Sequence, residues 1–289
     1  AEFSIIKLIK VIEEKQGNHQ IIRSENPVHL DAIPFPDREA VNIMKYNRMV
    51  EGKRSFGIFT SRGCPYSCFF CDKSISGPKI RYRSIENIIL EIKECILNYG
   101  IRNFEFFDDL FAIRKDRLEE FKEEIEGLRV IYRCNARTDL MTLEIAKLLY
   151  DSGCSTVCFG IESGNQKMLD LMNKRLTVEQ HLEGIKIAND AGLNVICYYL
   201  LGFPGETNRS IDDTIEFMKK NKESKHQIYS FQPLPGTDIF NNPKKYGIIN
   251  MSKNFSQYYL VTGKDGHGGK TVDTKWLTSE KLQQRVKDI

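Results

Sequence analysis

Between residues 55 and 231 the spacing of apolar positions switches repeatedly between two periods. Short runs at 56–61, 102–107, 129–134, 155–161, 194–201 and 227–231 are apolar throughout or at every second residue, which predicts strands. The stretches between them carry apolar residues at helical spacing, over 84–98, 115–126, 142–151, 165–173, 178–191 and from Ser210 to about 221. In the first of these, Ile88, Ile89, Ile92, Cys95 and Ile96 share one face, behind Ser84 as N-cap with Asn87 at the third helical position. Gly153 and Gly192 stop two of the others. Strands alternating with amphipathic helices imply parallel pairing through right-handed crossovers. The alternation yields too few units for a closed eight-stranded barrel. The expected fold is therefore α/β, a partial (β/α)6 TIM-like barrel with short N- and C-terminal extensions. Function in such barrels gathers at the C-terminal ends of the strands. Chemically useful residues should then fall just after each strand.

Outside this region the pattern is weaker. Two apolar–polar runs flank Gln16-Gly17-Asn18-His19 and predict a hairpin. Pro27, Pro34 and Pro36 exclude a helix or a central strand over 26–37, leaving an extended connector. A last helix begins at Thr278-Ser279 and runs to the end of the chain. The chain starts at Ala1 and stops inside that helix, so both ends are expected to be cut from something longer. The divisions are 1–48 as extension and linker, 49–240 as core, and 241–289 as a C-terminal extension, itself expected to be truncated.

Composition narrows the function classes. With 42 basic and 39 acidic residues among 289, the charge is too balanced to argue for a nucleic-acid or membrane partner. The longest apolar run, 193–203, is far shorter than a membrane span and ends at Pro204-Gly205. Eight cysteines without a secretory leader point to a reducing, cytoplasmic compartment, which makes the sequons at Asn208, Asn250 and Asn254 coincidental.

The distinctive chemistry follows the first core strand, in Arg62-Gly63-Cys64-Pro65-Tyr66-Ser67-Cys68-Phe69-Phe70-Cys71. Three thiolates on one loop can converge on a metal centre. An iron–sulfur cubane normally takes four cysteines, so three would leave one iron open for a ligand. Zinc is the rival reading, but it wants a fourth Cys or His. Cys95 lies on a helix and His29 in the connector, so neither is a near partner.

Cys-x3-Cys-x2-Cys with an aromatic before the last cysteine resembles the signature of radical S-adenosylmethionine enzymes, and the likeness extends over about residues 26–240. The resemblance implies a 4Fe-4S cluster on Cys64, Cys68 and Cys71, whose open iron is chelated by S-adenosylmethionine. Reduction then yields methionine and a 5′-deoxyadenosyl radical, with flavodoxin or ferredoxin as reductant and a small molecule as substrate. Phe70 would lie beside the adenine.

Each later strand end offers a candidate. Asp108 and Asp109 stand where many members have Gly-Gly-Glu, and either could accept the methionine ammonium; the alternative is an acidic pair at a helix N-terminus. Arg137 has the fork to hold the methionine carboxylate, or to form a surface ion pair. Glu162, in Gly160-Ile161-Glu162-Ser163-Gly164, resembles the ribose-binding stretch, and Ser163 belongs to it. Gly202-Phe203-Pro204-Gly205-Glu206-Thr207 resembles the family's Gly-x-Pro-Gly-Glu-Thr turn, where Gly202 lets backbone approach the cofactor. Gln232, after the sixth strand, opens a segment suited to backbone contacts with adenine.

Other features carry less. Gly266-His267-Gly268-Gly269-Lys270-Thr271 ends like a phosphate loop, but Lys264 stands where the first glycine belongs. Cys134, Cys154, Cys158 and Cys197 fall in or beside strands, where cysteine acts as a small hydrophobe; the four-residue spacing of Cys154 and Cys158 offers a second cluster or a catalytic thiol as the lesser alternative. His181 and His226 lack a ligand pattern.

The segment Leu30-Asp31-Ala32-Ile33-Pro34-Phe35-Pro36-Asp37 is similar to the junction between a cobalamin domain and the radical core in cobalamin-dependent members. Asp72-Lys73-Ser74, Arg81-Tyr82-Arg83-Ser84 and Phe107-Asp108-Asp109-Leu110-Phe111 also resemble that branch. The cobalamin-binding domain itself, with its Asp-x-His-x-x-Gly motif, is absent from the chain. The branch implies methylation or rearrangement of an unreactive carbon. The alternatives are a methylthiotransferase of transfer RNA or a ribosomal protein, and a non-catalytic electron-transfer or sensor protein.

Overall fold

The computed structural model describes residues 8–11, 29–73, 76–255, 258 and 272–287. The predicted hairpin around 16–19 and the glycine-rich 266–271 lie outside these residues. Among the described residues no helix is long and apolar enough to cross a membrane.

The core alternates as expected: β1 (Met49–Val50), β2 (Lys53–Ile58), β3 (Ser61–Arg62), β4 (Arg81–Tyr82), α1 (Ile85–Tyr99), β5 (Asn103–Phe106), α2 (Lys115–Ile125), β6 (Ile131–Ala136), α3 (Leu143–Asp151), β7 (Cys154–Glu162), α4 (Gln166–Leu171), α5 (Val178–Asp190), β8 (Asn194–Leu201), α6 (Asn208–Lys220) and β9 (Lys225–Ser230). One sheet in the order β1-β2-β5-β6-β7-β8-β9 carries it. From β2 to β9 every neighbour is parallel. This is the curled half-barrel that the pattern of strands and helices implied.

The extra strand is β1, which pairs antiparallel with β2 through a tight turn at Glu51-Gly52, both with positive φ. Two residues are too few for any periodicity to betray. Several boundaries also differ from expectation, among them the start of β9, which comes two residues early. The first core strand starts and ends three residues early, because β3 and β4 form their own small ladder at the base of the cysteine loop. The strand expected at 129–134 runs over 131–136, with Arg129 in the left-handed region before it. A shift of two preserves which side chains face the helices.

Those helix-facing residues build the core. Phe106, Phe111, Phe121 and Tyr132 form an aromatic cluster in which Phe106 stacks on Tyr132 at 4.6 Å. The buried Tyr132 hydroxyl is satisfied by Ser152 at 2.7 Å. Ser84, Thr142, Thr177 and Thr207 cap their helices through side-chain oxygens.

The proline-rich connector is extended only in part and is docked on the core. Leu30–Ala32 forms a 3-10 turn whose Leu30 is buried. Asp31 accepts the Ser84 amide at 2.9 Å, and Phe35 lies 5.3 Å from the Arg83 guanidinium. Arg38 and Arg83 converge on buried Glu91, each at 2.5 Å.

After β9 the chain adds α7 (Asp238–Asn241), the antiparallel pair β10 (Ile248–Met251) and β11 (Val272–Thr274), and α8 (Ser279–Lys287). Leu282 of α8 packs with Leu201 and Ile211.

Candidate functional site

The cysteine loop is held at several points. The β3–β4 ladder pinches its base. Gly63 has φ +105, and a Cβ there would lie 2.2 Å from the Lys79 carbonyl oxygen, so only glycine permits this crossing. The Gly63 N–H donates to Asp109 at 3.1 Å, and the Cys64 N–H to Gly77 O at 3.3 Å. On the far side, the Phe69 N–H donates to Met172 O at 3.0 Å. The Asn173 amide donates to Ser67 O at 2.7 Å.

Cys64 and Cys68 are half-buried, Cys71 is exposed, and none is in a disulfide. Although Cys71 as a residue is exposed, desolvation of its sulfur within the loop, then the neighbouring Cys68 and Cys64, pushes the thiol up to about 11. Burial also raises Cys68, against the opposing pull of Lys174 and Arg137. Three sulfurs this close resist ionising together unless positive charge arrives with a metal centre. Among the described residues no three His, Cys, Asp or Glu are gathered as ligands of a single ion. A cubane asks for a wider arrangement, because each thiolate takes its own iron. The donor set and its position on an open loop fit such a cluster.

The two aspartates part company. Asp108 is buried and takes the Thr60 N–H at 2.6 Å, the Thr60 hydroxyl at 2.5 Å and the Ser61 hydroxyl at 2.6 Å. Burial raises its carboxyl, and those hydroxyls and amides oppose the rise. It ties the end of β2 to the end of β5. Asp109 is exposed and lies against the loop through Gly63. Neither begins a helix, since α2 starts at Lys115.

Arg137 follows β6. It pairs with Asp139 at 3.0 Å and lies 3.5 Å from the centre of the Tyr66 ring, inside the cysteine loop. Its 3-10 turn, Thr138–Leu140, is fixed by α5: Thr138 bonds the buried His181 at 2.9 Å. A Cβ on Gly184 would strike the Thr138 carbonyl. Burial holds His181 down to about 3, so it is a neutral packing partner.

Glu162 ends β7 at a bulge, in the left-handed region with φ 67, an unusual conformation for a glutamate. Its carboxylate folds over Gly160 and bonds Lys174 at 2.8 Å, with both side chains largely buried. Lys174 is the residue that the strand-end argument missed. It follows α4 on the turn 172–175, in which Asn173 and Arg175 have positive φ. The same turn supplies Met172 and Asn173 to the cysteine loop, so it holds both the cluster residues and the buried cation.

The remaining candidates divide. Phe70 is half-buried against a cluster containing Met168, Met172, Phe203 and Phe231. Ser163 is fully buried and bonded to Thr214 at 3.1 Å, joining β7 to α6. Gly202 has φ +86, and the space it leaves is filled by Leu282. Gln232 is buried just beyond β9.

Glu206, in the same turn as Gly202, is enclosed, with the Gly202 N–H and the Ser210 hydroxyl donating to it. Burial pushes its carboxyl up to about 7 from 4.5. The folded state then holds a proton that the unfolded chain has already released, so this residue's contribution is complete below about pH 4.5 and declines as pH rises to about 7. Denaturation of wild type and Glu206→Gln at about pH 5 and about pH 8 should show the wild type losing about 3 kcal/mol more over that interval. Parallel pH profiles would contradict this placement of Glu206.

A sheet of parallel strands with a three-cysteine loop at its C-terminal edge defines a class, and the comparisons agree. The profile of the radical SAM superfamily matches residues 58–218, and the chain belongs to that superfamily. A 4Fe-4S cluster and S-adenosylmethionine are thus its cofactors, on a fold whose sequence relatives carry the names of methyltransferases and cyclases. An uncharacterised methyltransferase of Pyrococcus horikoshii is 30% identical over 276 residues, 92% of this chain and 57% of that protein. Cytidylyl-2-hydroxyethylphosphonate methyltransferase of Streptomyces wedmorensis is 27% identical over 82% of this chain and 47% of its own length. The chain therefore spans about half the length of these curated relatives. Among solved structures, the cobalamin-dependent S-adenosylmethionine radical enzyme OxsB superposes with a TM-score of 0.65 at 16% identity, over 85% of this chain and 39% of that one. That likeness is one of fold.

Proposed function

We propose that the chain is the radical core of a cobalamin-dependent enzyme that methylates an unreactive carbon of a small molecule. The observation that carries the reading is the meeting of the cysteine loop with the turn 172–175, because it sets a buried Lys174–Glu162 pair beside Cys68. A ligand with a carboxylate, an ammonium and a ribose diol needs a cation and two carboxylate acceptors next to an open iron. Lys174, with Arg137 behind it, would take the carboxylate. Exposed Asp109 would take the ammonium, since Asp108 is committed to Thr60 and Ser61. Glu162 would accept from the ribose hydroxyls, and Phe70 would flank the adenine. In the free protein Lys174 and Glu162 neutralise each other, which spares two largely buried charges from standing alone.

Cys64, Cys68 and Cys71 would hold a cluster whose chemistry would be one-electron reduction of the bound sulfonium, and cobalamin would supply methyl-transfer chemistry. The chain's residues hold these pieces in place and keep water out. Methylation is favoured by the names of the Pyrococcus and Streptomyces relatives. A cleft of about 480 Å³ lies between the docked connector and Phe59, Phe107 and Arg62, next to the start of the cysteine loop.

The test is anaerobic incubation with S-adenosylmethionine, dithionite and hydroxocobalamin. The proposal predicts 5′-deoxyadenosine and a corrinoid that co-elutes with the protein. Deoxyadenosine with no retained corrinoid would remove cobalamin from the proposal, and no deoxyadenosine would remove the radical reading.

A further inference from the structure

The inner face of the half-barrel carries a charged group that the cofactor site does not use. Arg48 reaches in from just before β1, Arg133 stands on β6, and both bond the single carboxylate of Glu105 on β5, the Arg133 contact measuring 2.6 Å. Two guanidiniums thus share one carboxylate, and the group keeps an unneutralised positive charge. Their side chains are 47% and 23% exposed, against 12% for Glu105, so the cations and not the anion face the open space.

Beside them lies a cavity of about 650 Å³ at the β1–β2 edge of the sheet, between the segment carrying Arg38, Tyr46, Arg48 and Met49 and the β2 residues Ser55, Phe56 and Gly57, with Arg133 on its wall. Met49 and Tyr46 leave large apolar surfaces exposed at its mouth. Asp37 also lines it, but at the rim, exposed and with one oxygen taken by the amides of Glu39 and Ala40. Glu51 lies at the barrel floor, bonded to Thr156.

Arg133 adds a second observation. Its buried Nε finds no acceptor among the described residues. A buried donor left unmet is costly, of the order of 1–3 kcal/mol, and native proteins seldom keep one without use. The guanidinium fork matches a carboxylate through two parallel bonds, and Glu105 fills only one of Arg133's. Gly57 connects this cavity to the cleft beside Arg62, since it lines both. A Cβ at Gly57 would strike the Phe107 ring, on whose face Arg48 lies at 4.7 Å.

We infer that this edge cavity is a binding site for an apolar molecule bearing an oxyanion such as a carboxylate, with Arg133 and Arg48 as its anion-binding residues. Resting on the proposed radical enzyme, this makes the edge cavity a substrate subsite and an amphipathic anion the substrate class. Glu105 is the internal counter-ion that holds both arginines until the ligand arrives.

The test needs no turnover. 8-Anilinonaphthalene-1-sulfonate, an apolar aromatic anion, is titrated into the full chain by fluorescence beside N-phenyl-1-naphthylamine, which has the same rings without the charge. Arg133→Gln should weaken the sulfonate about tenfold and leave the neutral probe unchanged. Glu105→Gln, which releases both arginines, should tighten the sulfonate. A purely structural ion cluster predicts neither, and loss of fold would weaken both probes alike. Equal sulfonate binding in wild type, Arg133→Gln and Glu105→Gln would overturn the assignment. So would a sulfonate no tighter than the neutral probe. Iron content and deoxyadenosine formation, measured on the same samples, report on the radical reading separately.

Discussion

Glu91→Ala should cost about 3–5 kcal/mol of stability and lower the melting temperature by roughly 10 °C. Glu91 is nearly inaccessible, and each of its oxygens receives a buried guanidinium, Arg38 from beyond the connector and Arg83 from the segment before α1. Removing the carboxylate leaves two cations in a poor solvent with no anion between them. Glu94 touches the same Arg38 at 3.8 Å but is 38% exposed, so Glu94→Ala should cost under about 1 kcal/mol. Chemical denaturation of the two variants separates the cases. Equal and small losses would mean that Arg38 and the docked connector are not held through Glu91.

Lys174→Met should weaken S-adenosylmethionine binding by about 10–100-fold while leaving the iron content of the reconstituted protein unchanged. The substitution keeps much of the side chain's bulk and deletes the buried cation beside Cys68. It also strands the largely buried Glu162 carboxylate. Adding Glu162→Gln should recover stability without recovering affinity, because the two positions would meet different parts of the ligand. Equilibrium dialysis under anaerobic conditions measures the affinity directly. Unchanged affinity in Lys174→Met would confine the pair to a structural role.

Much of this architecture was legible in the chain, for identifiable reasons. Ser84, Gly153 and Gly192 mark helix ends through local backbone chemistry, and the observed helices begin or stop beside them. The strands on either side of α4 and α5 are long and strongly apolar, and β8 occupies the range expected. What escaped was non-local. β1 is two residues held by a turn. The docking of the connector depends on Arg38 and Arg83 finding Glu91 from opposite sides of the cysteine loop.

The candidate site divides along the same line. Cysteine spacing is a local property, so Cys64, Cys68 and Cys71 could be singled out at once. Asp108 and Asp109 are adjacent and chemically identical, and only folding decides that one is spent on Thr60 and Ser61 while the other stays exposed. Ser163 and Gly202 sit in the stretches singled out, and folding sets Ser163 on Thr214 and Gly202 against Leu282, neither of which is a local property. Lys174 lies not at a strand end but past a short helix, where a rule about strand ends does not look. Its neighbours Asn173 and Arg175, both with positive φ, had only one local hint, the tolerance of asparagine for that conformation.

The central claim is that three loop thiolates hold a cluster able to cleave S-adenosylmethionine. Iron content and 5′-deoxyadenosine yield, measured together on anaerobically reconstituted protein, test it most directly. Wild type and Cys158→Ala should each hold about four irons per chain and form the nucleoside. Alanine at Cys64, Cys68 or Cys71 should abolish both. Full iron and full product after all three are changed would contradict the account.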